Sequence, residues 1–228
     1  MKVKTLLFSA LIATLISSCS GTYKAYYQTL QIAFAEQVDA QKTLDEVQQS
    51  EVDIISVKRG DRAAAIMALA YIENGQHKWV STDNAMLIMH KGRLIRTIGF
   101  SDNLLYLSNI ENDPLKLLAD DSQSSQLPDS WLRIADRTGD EYGYPIKSIF
   151  SQAKQDTLQA LNLNLDTMYY VETVYYDAPS DYVRLVSSWE NHFWFTKNGG
   201  LIKSIQKISP VSESLKITYL SRIARLNQ

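Results

Sequence analysis

The feature that most constrains this chain is a turn. Tyr71-Ile72-Glu73-Asn74-Gly75-Gln76 carries an apolar stretch directly into an Asn-Gly pair. Asn and Gly tolerate the left-handed backbone that a two-residue hairpin requires, and the twist of that turn matches the twist of its flanking strands. The turn therefore favours a strand over a short helix for residues 63–72, with residues 78–81 returning beside it. The same device recurs. Residues 84–90 and 93–99 flank Lys91-Gly92, and residues 192–196 and 201–208 flank Asn198-Gly199-Gly200. Residues 166–177 alternate: Tyr169, Val171, Thr173 and Tyr175 share one face, and Tyr170, Glu172, Val174 and Tyr176 share the other. Further strands are expected at residues 54–57, 130–137, 182–189 and 214–223. The polar stretch 144–161 reads either as one long twisted strand or as a helix from Ser151. Residues 102–129 read as an irregular connection with a single helical turn from Asp113-Pro114 to Leu118.

Before these meanders, Tyr23, Tyr27, Leu30, Phe34 and Val38 recur at spacings of four, three, four and four. That stripe predicts an amphipathic helix over residues 23–38, packed on the domain. Residues 39–51 either extend it or form a second helix. The expected fold class is mainly β: antiparallel meanders forming a barrel or two packed sheets, with an N-terminal α-helix. Thirteen Tyr and four Trp agree with strands.

The N-terminus has the layout of an export signal. Lys2 and Lys4 precede an uncharged run from Thr5 to Ser18. That run is shorter than the roughly 20 apolar residues a helix needs to span a bilayer. Cys19 is the only cysteine, so no disulfide can form within the chain. Residues 1–18 are read as a signal peptide and residues 19–228 as a single β-rich domain. Without Lys2 and Lys4 the net charge is about −4, with no basic excess for nucleic acid.

Leu15-Ile16-Ser17-Ser18-Cys19 resembles the lipobox of bacterial lipoproteins. The resemblance implies cleavage between Ser18 and Cys19, a diacylglycerol thioether on Cys19, and acylation of the new amine by a palmitate-type chain. Ser20, in place of an aspartate, is compatible with transfer to the outer membrane, with the domain facing the periplasm. Residues 69–99, including Trp79-Val80-Ser81 and Gly92 to Gly99, resemble the YjbF/GfcB-type lipoproteins encoded with group 4 capsule and exopolysaccharide genes. So do Asn112-Asp113-Pro114-Leu115 and Gly200 to Gln206 followed by Ser209-Pro210. The last stretch departs from the family at Ile205 and Lys207, where an arginine and an aromatic are expected. The resemblance implies an accessory of polysaccharide secretion or assembly, with polysaccharide or polysaccharide-export proteins as partners, and no catalytic residues to carry over.

The residues themselves suggest little chemistry. No nucleophile elbow, P-loop or metal-ligand spacing is present, and His77, His90 and His192 are far apart in sequence. No cofactor or metal is expected. The aromatic segment Trp189, Glu190, Asn191, His192 and Trp194 is the candidate glycan contact, because sugars stack on rings while polar neighbours bind hydroxyls. The alternative is that these aromatics, with Trp79 and Trp131, pack across strands and into the core. Two other functions stay open. One is a lipid or lipoprotein carrier with a greasy pocket in a curled sheet. The other is a polysaccharide-modifying enzyme using carboxylates near Asp136, Asp140 and Glu141, or Asp120 and Asp121.

Overall fold

The computed structural model describes residues 38–118, 127–139, 141–176 and 187–226. Among them, thirteen strands join one antiparallel sheet. They are β1 (Ile54–Arg59), β2 (Ala65–Glu73), β3 (Gln76–Val80), β4 (Met86–His90), β5 (Arg93–Ile98), β6 (Leu104–Leu107), β7 (Trp131–Arg137), β8 (Glu141–Phe150), β9 (Lys154–Ala160), β10 (Leu163–Tyr176), β11 (Ser188–Thr196), β12 (Leu201–Gln206) and β13 (Leu215–Thr218). The order β5-β4-β3-β2-β1-β13-β12-β11-β10-β8-β7-β6 makes a nearly closed barrel. Its first and last strands meet through side chains: Thr97 Oγ1 accepts from the Leu104 amide and donates to Asn103 Oδ1. Three short α-helices among the described residues accompany the sheet: α1 (Leu44–Gln48), α2 (Leu115–Leu118) and α3 (Leu220–Arg225).

A round barrel of twelve strands would enclose more space than its own side chains can fill. Here opposite walls touch. Gln206 of β12 donates to the Gly92 carbonyl at 2.9 Å and accepts from the Leu94 amide at 3.0 Å, so the start of β5 is bonded across the interior. Ile55, Leu87, Trp131, Phe193 and Ile217, from five different strands, then share one core.

Two smaller cores lie on the outside of the barrel. Val47 of α1 and Leu220 and Ala224 of α3 pack on Ile54, and Ile223 of α3 packs with Ile202, Leu158 and Trp194. A capping box starts α1, with Thr43 Oγ1 accepting from the Glu46 amide and Glu46 accepting from the Thr43 amide. The β9–β10 hairpin supplies Leu158 and Leu163 to the outer core and so folds over the β11–β12 face.

Several expectations change here. The helix proposed from Ser151 is instead a break at residues 151–153 followed by β9. The first half of β10 pairs β9 and its second half pairs β8. The strand expected over residues 214–223 stops at Thr218; Leu220, Ile223 and Ala224 recur at helical spacing and bury one face of α3. The connection 102–129 holds β6 and a 3₁₀ turn (Ile110–Asn112), and its expected helical turn is α2. The helix expected over 23–38, the signal peptide with Ser18 and Cys19, and most of the strand at 182–189 lie outside the described residues.

All three predicted Gly turns form with left-handed glycines, at φ 73° for Gly75, 91° for Gly92 and 79° for Gly199. A Cβ at Gly75 would meet nothing nearer than His90 at 3.5 Å, whereas one at Gly92 would run into the Leu201 side chain. Gly75→Ala is expected to cost about 1 kcal/mol from backbone conformation alone. Gly92→Ala adds overpacking of the interior and should cost about 2–4 kcal/mol. Thermal melts of the two variants check the ranking, and equal shifts would show that the turn is not pressed against β12.

Candidate functional site

The interior of the barrel holds charge. Glu172 of β10 is fully buried and faces inward between Tyr170 and Val174. Arg93 of β5 reaches one of its oxygens at 2.5 Å and clamps Asp113 with two bonds of 2.8 and 3.1 Å. Asn191 of β11 donates to the same Glu172 oxygen at 2.9 Å. Arg133 of β7 approaches the other oxygen at 3.3 Å and donates to Ser148 of β8 at 2.9 Å. Trp131 lies under both guanidiniums, 4.9 Å from that of Arg93 and 4.1 Å from that of Arg133. Burial alone would raise the Glu172 pKa, but the two arginines outweigh it and hold the carboxyl at about 2. Burial lowers Arg133 to about 10 against the opposing pull of Glu172, so it stays charged at neutral pH. This carboxylate is locked in ion pairs and shut away from solvent, which suits a structural clamp rather than proton transfer.

The clamp dictates what faces out. Strand alternation puts Trp131, Arg133, Ala135 and Arg137 of β7 inside, where Arg133 meets Glu172 and Arg137 meets Asp102 at 3.2 Å. Leu132 and Ile134 must then point to solvent. They join Tyr106 of β6, Ile149 of β8 and Tyr175 of β10 on one outer wall, each between 40% and 54% exposed. Register makes the wall continuous: Tyr175 lies opposite Lys147 and Lys147 opposite Leu132, while Ile134 lies opposite Pro145. Glu190 and His192 of β11 extend it beyond Thr173 and Val171.

The five residues expected to contact glycan therefore do not share a face. Trp189 and Asn191 point inward; the Trp189 indole donates to the Lys207 carbonyl, and Asn191 Oδ1 accepts from the Lys207 amide. Trp194 points outward but is covered, its indole donating to Asp156 at 2.7 Å. Glu190 is exposed. His192 is partly buried, 2.7 Å from the Tyr169 hydroxyl, and burial holds its pKa below the ordinary value. Trp79 and Trp131 are both core residues. Of the carboxylates, Asp136 accepts from the Gly143 amide at 2.7 Å and so secures the β7–β8 hairpin. Asp120, Asp121, Asp140 and the Glu141 side chain lie outside the described residues.

Sequence reasoning missed Leu132, Ile134 and Ile149 as surface residues. Residues 131–137 alternate in either phase, and ordinary hydropathy would turn the arginines out. The signal that reverses this is Glu172, an acid in the apolar phase of a strand that needs buried cations.

Comparison with known proteins places this geometry. The chain matches the family described as group 4 capsule polysaccharide lipoprotein GfcB, YjbF over residues 27–220. It is 24% identical to the Escherichia coli K12 lipoprotein GfcB, covering 89% of this chain and 91% of the relative. It is 26% identical to the E. coli K12 lipoprotein YjbF, covering 92% of this chain and 94% of the relative. The crystal structure of the hypothetical lipoprotein YmcC from E. coli K12 superposes with a TM-score of 0.67 at 27% identity, over 79% of this chain and 89% of that one.

The clamp predicts a pH dependence. The pKa of Glu172 is depressed on folding, so its contribution is complete above the unfolded value near 4.5 and is lost as pH falls toward about 2. Glu172→Gln leaves two buried arginines short of a partner and should cost about 3–5 kcal/mol at pH 7. Its melting temperature should also vary less than that of the parent between pH 4.5 and 2, as a series of melts would show.

Proposed function

The chain belongs to the YjbF/GfcB family of group 4 capsule polysaccharide lipoproteins, and from that premise we propose that it is a non-catalytic accessory of capsule or exopolysaccharide secretion. In this reading, acyl chains on Cys19 hold it to the outer membrane with the barrel on the periplasmic side. Its working surface is the outer wall of β6, β7, β8 and β10, which docks onto a protein of the export apparatus. Glu190 and His192 remain available at the margin of that wall for contact with polysaccharide.

The observation that carries the reading is the exposure of Leu132, Ile134, Ile149 and Tyr175 around Lys147, with Tyr106 at the far side of β7 opposite Asp136. Together they present apolar surface on the order of 400 Å², the size at which a patch on a monomer is commonly functional. It is about half of what one partner gives to a standard stable interface. A patch this small supports a weak contact, and a lipid anchor suits such a contact by confining both partners to one surface at high effective concentration. Three of the five side chains, Leu132, Ile134 and Ile149, offer no ring face for stacking a sugar, which favours a protein. Among the described residues no helix is long and apolar enough to cross a membrane.

The test separates wall from anchor. Leu132→Asp with Ile134→Asp alters only solvent-facing side chains, so the melting temperature should move by a few degrees at most. Surface polysaccharide in cells carrying this variant should fall at least tenfold. Cys19→Ala should leave the protein folded but released from the membrane fraction, with a similar loss of surface polysaccharide. Wild-type polysaccharide from the wall variant would overturn the docking surface, and wild-type polysaccharide from the untethered form would reduce the anchor to an address.

A further inference from the structure

One end of the barrel has a mouth that the fold does not fill. The β5–β6 turn and the β12–β13 loop enclose a cavity of about 220 Å³. Its apolar lining is Phe100, Ile208, Val211 and Leu215; Leu215 belongs to the main core, and Phe100 and Ile208 pack against it. Its polar lining is a rim of Arg59, Ser101, Asp102 and Glu213. Arg59 is bonded to Glu213 at 2.7 Å and to the Ser101 hydroxyl at 2.8 Å, and its guanidinium stands 5.2 Å from the centre of the Phe100 ring. Asp102 is paired with Arg137 at 3.2 Å. The loop side is pinned by Ser212, whose hydroxyl accepts from the amides of Ile208 and Ser209.

This arrangement selects a ligand. Mouths of β-barrels are common ligand sites, but a volume of 220 Å³ is below the range for drug-sized molecules and admits about one six-membered ring with its substituents. Each charge on the rim already has an opposite partner, so an ionic ligand must break a pair to bind. A neutral polyol need not. A carboxylate has about four acceptor positions, and those of Asp102 and Glu213 can take ligand hydroxyls while keeping their arginines. The apolar floor suits the C–H face of a sugar ring, and the rim suits its hydroxyls.

We propose that the mouth between the β5–β6 turn and the β12–β13 loop binds one uncharged pyranose residue, the end or a branch of a polysaccharide. The proposal rests on the capsule reading for the choice of a sugar among polyols, and it is independent of the docking wall. A single ring in a shallow site should bind with a dissociation constant of about a millimolar or weaker.

The experiment is saturation-transfer NMR on the full lipidated protein in a zwitterionic, sugar-free detergent. The probes are methyl β-D-glucopyranoside and methyl β-D-galactopyranoside, with glucuronate as the charged comparison. At least one neutral glycoside should show transfer. Ser101→Trp fills the cavity and should weaken it at least tenfold, and Ser101→Thr should retain it. If Ser101→Trp melts early, Val211→Trp serves instead, because Val211 lines the mouth and is 83% exposed. No transfer from either glycoside, transfer from glucuronate alone, or transfer that survives the blocking variant overturns the proposal. Transfer should persist in the Leu132→Asp, Ile134→Asp variant, so loss of secretion there with intact sugar binding separates the two sites.

Discussion

Glu172 carries a full charge in the middle of a barrel, and the rest of the molecule is arranged around that fact. A lone buried carboxylate would be too costly to keep ionised. Two arginines approach it, Arg93 from β5 and Arg133 from β7, and Asp113 balances the second positive charge. These contacts join β5, β7 and β10 through the interior, while Asn191 adds β11. The walls of a twelve-strand barrel are thereby drawn together, which lets Phe193, Trp131 and Leu87 fill the space between them. The outer surface follows from the same bonds. Because β7 must turn Arg133 and Arg137 inward, it has no choice but to turn Leu132 and Ile134 out. Internal clamp and external wall are two sides of one strand.

What the sequence disclosed depended on how far apart the interacting residues lie. The hairpins at Asn74-Gly75 and Lys91-Gly92 are local, and the left-handed backbone they need is written in their residue types. The alternation of β10 was legible for the same reason. The β9–β10 hairpin was not, because its turn is Leu161-Asn162, with a leucine at φ 49° where glycine or asparagine is usual. Leu161 is held there by packing against both outer cores, which no local rule can foresee. Helix α3 was hidden behind a run of apolar residues that fits a strand equally well until its partners are known.

The candidate site divides along the same line. The aromatic segment around Trp189 looked like one surface because the residues are adjacent in sequence. A strand separates neighbours by face, so Trp189 and Asn191 became interior while Glu190 and His192 stayed at the surface. The wall and the mouth are each assembled from strands or loops that are distant in the chain. Neither has a sequence motif, and both emerge only when the register of β6, β7, β8 and β10, or the approach of two loops, is known. The stretch from Leu15 to Cys19 is the opposite case, since its resemblance to a lipobox is read from five adjacent residues without any knowledge of the fold.

The pairing of β1 with β13 has a kinetic consequence. Ser56 of the first strand sits opposite Thr218 of the last. A chain produced from its N-terminus can zip β1 to β5 as a meander early, since each strand pairs with its sequence neighbour. The free edge of β1 must then wait for nearly all of the remaining residues before its partner exists. Such non-local closure is slow, and an unpaired strand edge in the meantime is a template for pairing with another chain. Folding of this barrel is therefore exposed to misassembly during the interval before its C-terminus arrives, and a chaperone that shields one sheet edge would act at that point.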